Sequence, residues 1–160
     1  MIIDIVQIDK TLPLPKRASA GASGFDLRAS IKGRAGVGDV SHILAEVGYM
    51  DIHPGQIRVV PLGIKVAINL GYEIQIRARS GLAIKHGVTL INGIGTIDSD
   101  FRGEFMAGLI NLSGDIYRIH HGDRICQMIG GSVAPLWLHV TDTLGKTERD
   151  SGGLGHTGVK

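Results

Sequence analysis

The chain has 160 residues, a length that suits one domain around one core. With 43% hydrophobic and 20% charged residues, little of it has the composition of a disordered segment. A formal net charge of +2 is too small to argue for nucleic-acid binding, so only local arginines remain to serve phosphates.

The N-terminal Met1-Ile-Ile-Asp-Ile-Val carries an acid at position 4 and has neither a basic n-region nor a cleavage site. It reads as a strand over residues 2–8, not as a signal peptide. No apolar run approaches the roughly 18 residues that would span a membrane. The expected compartment is the cytoplasm, and the sequon at Asn111 is then a coincidence. Further strands are expected over residues 25–29, 58–68, 72–79, 88–91, 104–111, 124–129 and 132–140. In residues 72–79, Tyr72, Ile74, Ile76 and Ala78 share one face while Glu73, Gln75, Arg77 and Arg79 share the other. Turns are expected at His53-Pro-Gly55, Asn69-Leu-Gly71, Ser113-Gly-Asp115 and His121-Gly-Asp123. Residues 32–49 read as an irregular surface excursion. Only residues 80–86 read as a helix, and a short one. The 24 glycines, about twice the usual share, fit a chain of many tight turns. The expected fold is all-β, an antiparallel sandwich or barrel.

Residues 145–160 differ in kind. They hold five glycines and almost nothing apolar, so they cannot fold alone. The expected division is a β-domain of residues 1–144 and a mobile tail of residues 145–160. Within the tail, Gly153-Leu-Gly155-His-Thr-Gly158 spells a G-x-G-x-x-G. A dinucleotide fingerprint needs a preceding strand and a following helix, and neither fits here. Either a glycine loop offering N–H groups to phosphate or a disordered tail fits the run. The lone Cys126 sits among apolar residues and reads as a buried, inert thiol.

The densest chemistry lies in Asn92-Gly-Ile-Gly-Thr-Ile-Asp98-Ser-Asp100-Phe101-Arg102-Gly103-Glu104. Its charges have no apolar reason to be buried, and strand-like segments flank it. Asp98 there is placed to hold and activate a water. Arg79-Ser80-Gly81 leaves a strand and opens the helical turn, which suits either an anion or an ordinary cap with a solvated arginine. Asp26 interrupts an apolar strand, so it meets a cation or metal, or else faces solvent. Gln127 is a donor for phosphate or a surface residue of an alternating strand. The seven histidines show no metal-ligand spacing, so any metal is expected to arrive with a substrate, Mg²⁺ on phosphates fitting best.

Taken together, five segments resemble the five motifs of the trimeric dUTPase family, in order and with compatible spacing. They are residues 22–29, 79–83, 92–104, 122–128 and 149–158, and Gly95-Thr-Ile-Asp-Ser-Asp-Phe-Arg-Gly-Glu104 is the most specific. The resemblance implies a jelly-roll or β-barrel-like homotrimer that splits dUTP into dUMP and pyrophosphate with Mg²⁺. It implies that Asp98 holds the attacking water and contacts the deoxyribose. Asn92 would help the backbone read uracil, Phe101 would pack on the sugar, and Thr96, Ile97 and Met106 would touch substrate. Arg79, Ser80, Gly81 and Gln127 would hold phosphates, with Asp26 reaching the Mg²⁺ shell through water. Arg149, Leu154 and Gly155 would close over the nucleotide from another subunit. Three positions depart from the family pattern: Phe101 for tyrosine, Ala78 for proline, and Leu154 for phenylalanine. A dCTP deaminase is a rival on a similar fold, as is a dUTP-sensing regulator using residues 32–49. The intact Asp98 and the glycine tail favour the hydrolase.

Overall fold

The computed structural model describes residues 2–153. In chain order its strands are β1 (Asp4–Gln7), β2 (Phe25–Arg28), β3 (Tyr49–Ile52), β4 (Ile57–Pro61), β5 (Ile64–Ala67), β6 (Tyr72–Ala78), β7 (Val88–Leu90), β8 (Ile94–Ile97), β9 (Met106–Asn111), β10 (Tyr117–His120) and β11 (Arg124–Ser132). Helix α1 (His42–Val47) lies between β2 and β3, and α2 (Ser80–His86) follows β6. All strand pairs are antiparallel. They form a four-stranded sheet β2-β11-β6-β8, a three-stranded sheet β4-β9-β7, and the pairs β1-β5 and β10-β3. This is an all-β, jelly-roll-like barrel.

The alternation read from sequence explains the core. Ile74 and Ile76 of β6 point inward beside Leu27, Ile31, Met50, Ile52, Phe105, Leu109, Ile119 and Ile125, all essentially inaccessible. Each such side chain contributes roughly 1.5–3 kcal/mol by leaving water. Asn111 is the polar exception. Its amide donates to the carbonyls of Ile52 (2.8 Å) and Asp115 (2.7 Å), and its oxygen accepts from Ser113, so its burial costs little.

Several sequence expectations need correction. Residues 58–68 are two strands, because Gly63 turns the chain with φ +69°. A Cβ at Gly63 would stand 2.8 Å from that of Asp9, so no other residue fits. The described residues hold two helices, not one: α1 forms inside the excursion of residues 32–49, where the Ser41 hydroxyl accepts from the Leu44 N–H. That excursion is only partly on the surface, since Val40 and Ala45 join the core. β3, β8 and β10 were not expected. Residues 132–140 are not a separate strand. β11 ends at Ser132, opposite Tyr72 where β6 begins, and beyond it no strand among the described residues offers a ladder. Residues 133–140 therefore run exposed without regular structure.

Candidate active site

Two clusters of the predicted residues emerge at different places on the barrel. The first lies where β2, β6 and β11 meet. Asp26 and Gln127 are direct partners across β2 and β11. Asp26 is buried, and its Oδ1 accepts from the Gln127 amide at 3.0 Å while lying 3.4 Å from Arg79 Nε. Its Oδ2 accepts from Arg124 Nη1 at 3.0 Å. The question left open by sequence resolves toward a cationic partner. Arg79 also donates to the Arg124 carbonyl at 2.7 Å, which holds its guanidinium at the head of α2 beside exposed Ser80 and Gly81. Next to them is an open depression lined by Arg79, Gly81, Lys85, His86, Tyr117 and Arg124, with Asp123 on its wall. Two held arginines and the exposed Lys85 around one depression make it attractive to a polyanion.

Arg124 was not singled out from sequence. On a regular strand, residues 124 and 127 have opposite parity and face opposite ways. A bulge between Arg124 and Cys126 rephases β11, so both side chains reach Asp26. Cys126 itself is fully buried, and burial, together with nearby Asp26, pushes its thiol well above the ordinary range. It is inert, as expected. The Tyr117 phenol is likewise raised by burial and by Asp123, against the influence of Arg79.

The second cluster is built on β7, β8 and β9. β7 and β9 pair with each other, Thr89 opposite Ile110, and the chain between them leaves to run as β8 along β6. The chemistry-rich run is thus part strand and part loop. Gly95 sits opposite Ile76, where the space over its Cα is taken by the Ile76 and Asn92 side chains. Asn92, Thr96 and Asp98 are exposed, and Ile97 and Met106 are half-buried. After β8 the loop closes on itself. Phe101 N–H donates to the Asp98 carbonyl at 3.2 Å, and Arg102 Nη1 donates to the Ser99 and Phe101 carbonyls. Phe101 is exposed, with its ring laid against Gly103 and 6.4 Å from the Phe105 ring. Glu104 departs from the expectation that the whole run avoids burial. It turns inward to Arg34 at 2.6 Å and accepts from the Gly63 N–H at 2.9 Å.

Within one protomer the register carries the Asn92–Ile94 end of the second cluster toward Arg79 but carries Asp98 away from it. Ile97 faces Ile74, and Arg79 lies five residues farther along that strand. At about 3.3 Å per residue, ~16 Å of β6 separates the Asp98 end of β8 from Arg79. Arg149 falls in the tail expected to close the site. It donates to the Gly152 carbonyl at 2.8 Å within its own turn. Leu154 and Gly155 lie outside the described residues.

The sequence profile of the dUTPase family matches residues 42–158. The chain belongs to the dUTPase family. Its relatives include the deoxyuridine 5'-triphosphate nucleotidohydrolase of Desulfotalea psychrophila, 45% identical over 94% of this chain and 90% of that one. The Finegoldia magna protein of the same name is 46% identical over 91% and 92%. Among solved structures, a dUTPase of Staphylococcus bacteriophage 80alpha with dUPNHPP has a TM-score of 0.81 at 20% identity, covering 99% of each chain. A phage phi11 dUTPase described with a structural Mg(II) ion has a TM-score of 0.71 at 16% identity, covering 89% of this chain and 98% of that one. At these identities the structural likeness is one of dUTPase fold.

A dUTPase-family reading raises the question of a metal. Among the described residues no three His, Cys, Asp or Glu side chains cluster as a metal cage. Asp26 offers oxygens, but Arg79, Arg124 and Gln127 already engage both of them. This donor set fits an ion carried mainly on a ligand's own phosphates and touched by the protein through water.

Proposed function

We propose that this protein is a dUTP diphosphatase, hydrolysing dUTP to dUMP and pyrophosphate with Mg²⁺. It would thereby limit uracil in DNA and supply dUMP for thymidylate synthesis. The observation that carries the reading is the pairing of an exposed Asp98 on a glycine-bounded loop with a separate, cation-lined phosphate bed. Family membership supports it.

In this reading Asn92 and the backbone of β8 read the uracil edge, with Thr96, Ile97 and Met106 in contact. The Phe101 ring packs on the deoxyribose and leaves no room for a 2′-hydroxyl. Arg79, Ser80, Gly81 and Gln127 hold the phosphates. Asp26 keeps Arg79 and Arg124 fixed in place, so they need no reorganisation when the anion arrives. Asp98 orients a water and takes its proton as the water attacks phosphorus, and the bond between the α- and β-phosphoryl groups breaks. Mg²⁺, when bound on the triphosphate, supplies charge neutralisation, with Asp26 as its water-mediated contact.

The separation of Asp98 from Arg79 along β6 supports a homotrimer with shared sites. A triphosphate bound beside Arg79 of one subunit would meet the Asp98 loop of a second. Residues 1–144 form the barrel in this reading. Residues 145–160, with Arg149, Leu154 and Gly155, form the tail that closes the site from a third subunit. The exposed apolar run of Val133, Leu136, Trp137, Leu138 and Val140 supports contact between copies, because such a surface is unusual on a monomer. No helix among the described residues is long and apolar enough to cross a membrane. We assign the protein to the cytoplasm, where a lone thiol stays reduced.

The test is pyrophosphate release from dUTP, dCTP, dTTP and UTP, with Mg²⁺ and with a chelator. Fast, Mg²⁺-dependent release from dUTP alone is expected. Ammonia from dCTP, or binding of dUTP without turnover, would overturn the reading.

A further inference from the structure

We propose that Arg34, in the excursion between β2 and β3, is a positioning residue for sugar specificity. It acts through Glu104 and Gly103 on the ring of Phe101. The proposal rests on the reading of Phe101 as the sugar-facing ring.

Arg34 and Glu104 meet at 2.6 Å with side chains only 13% and 11% exposed, far from the ordinary solvated surface pair. The second guanidinium nitrogen donates to the Ser30 hydroxyl at 3.2 Å, and that hydroxyl donates to the buried Asp9 at 2.5 Å. The second oxygen of Glu104 accepts from the Gly63 N–H at 2.9 Å. Both ends of the Glu104 carboxylate are therefore gripped by segments outside the Asp98 loop, namely the β2–β3 excursion and the β4–β5 turn. The next residue is pinned as well: Phe105 N–H donates to the Ile64 carbonyl at 3.0 Å, and its own carbonyl accepts from Leu62 at 3.0 Å.

Upstream of Glu104 the loop is tied mainly to itself, through the Asp98, Ser99 and Phe101 carbonyls. It should move as a unit about its anchored end. Gly103 is the platform at that end. A Cβ built there would stand 2.5 Å from Cζ and 2.9 Å from Cε2 of Phe101, so the ring lies directly on the glycine backbone. The height of the ring follows the position of Gly103, and Gly103 follows Glu104. Without Arg34, a nearly buried carboxylate keeps only one backbone donor. It would swing toward water and carry Gly103 with it.

The experiment compares Arg34→Met, Arg34→Lys and Gly103→Ala with the unaltered protein. The kinetic readout is kcat/KM for dUTP and for UTP. The structural readout is the ¹⁹F resonance of fluorophenylalanine placed at position 101. Arg34→Met should lower the dUTP-to-UTP ratio about tenfold, within the ~100-fold that a misplacement of about 1 Å can cost. Gly103→Ala should lower it too, by lifting the ring directly while Arg34 and Glu104 stay paired. Arg34→Lys should restore most of the ratio. An equal fall for both substrates, which a purely structural role would give, overturns the proposal. So does an unchanged ¹⁹F resonance in Arg34→Met. Should Arg34→Met fail to fold, Glu104→Gln keeps the side-chain shape, and an unchanged ratio there is equally fatal. The ¹⁹F readout needs no turnover. A protein that ignores dUTP but shows the shift would sink the diphosphatase reading and leave the coupling of Arg34 to the ring standing.

Discussion

Asp98 and Arg79 provide the sharpest test of a site shared between subunits. The β6–β8 register sets Ile97 opposite Ile74, five residues from Arg79, which is ~16 Å of strand. Asp98→Asn should slow turnover at least ~100-fold, the scale of a lost general base. Arg79→Ala should weaken phosphate binding by about 1.5–3 kcal/mol, the worth of a hydrogen bond to a charged group. That is a loss of roughly tenfold or more in affinity. Each altered homotrimer is then impaired at every site. The two proteins are unfolded, mixed in equal amounts and refolded. In a closed ring of three, each site takes its Asp98 loop from one subunit and its Arg79 from the next. About half the loops come from Arg79→Ala subunits and are intact, and about half the phosphate beds come from Asp98→Asn subunits and are intact. Hence about one quarter of the sites carry both, and activity should climb to about one quarter of the unaltered level. Pyrophosphate release from dUTP measures it, with separately refolded proteins pooled afterwards as the control. If mixed refolding gains nothing over the pool while light scattering shows mixed trimers, both groups act within one protomer. The distance argument would then be wrong.

Asp98→Asn alone should still bind a non-hydrolysable dUTP analogue, because the proposed proton transfer is what the amide cannot perform; near-normal turnover would remove Asp98 from the mechanism. Burial would raise the Asp9 carboxyl, but hydrogen bonds from Ser30 and Thr11, and nearby His121, outweigh it and leave it below its ordinary 3.8. A depressed folded pKa stabilises fully above about pH 4 and loses that stabilisation as pH falls through the folded value. Asp9→Asn should therefore cost about 1–3 kcal/mol at neutral pH, and its deficit should shrink below pH 3.8; urea midpoints showing a deficit independent of pH would refute this. Asn111→Leu leaves the Ile52 and Asp115 carbonyls without their amide donor. It should cost about 2–4 kcal/mol in urea unfolding, and a loss near zero would mean that the loop of residues 111–115 re-pairs without it.

Much of this protein was legible before folding was considered. Period-two alternation located most strands, including the inward face of β6 with Ile74 and Ile76, and residues 80–86 proved helical to the residue. Both properties are local, because the side-chain period of a strand depends only on its own backbone. The exposure of Asp98 was legible for the same reason, since glycines and charges mark a loop wherever the fold places it. What tertiary structure decided is every matter of partners. Whether Asp26 meets solvent or a cation depended on Gln127 lying opposite it on β11 and on a bulge that rephased Arg124. That Glu104 turns inward depended on Arg34, seventy residues away in the chain. Residues 132–140 alternate like a strand, yet only Ser132 belongs to one, because beyond it no neighbour among the described residues offers a ladder. The ~16 Å between Asp98 and Arg79 likewise exists only once β8 has chosen its register on β6. Periodicity tells a residue which way to face, but pairing between distant segments decides what it faces, and no local pattern encodes that choice.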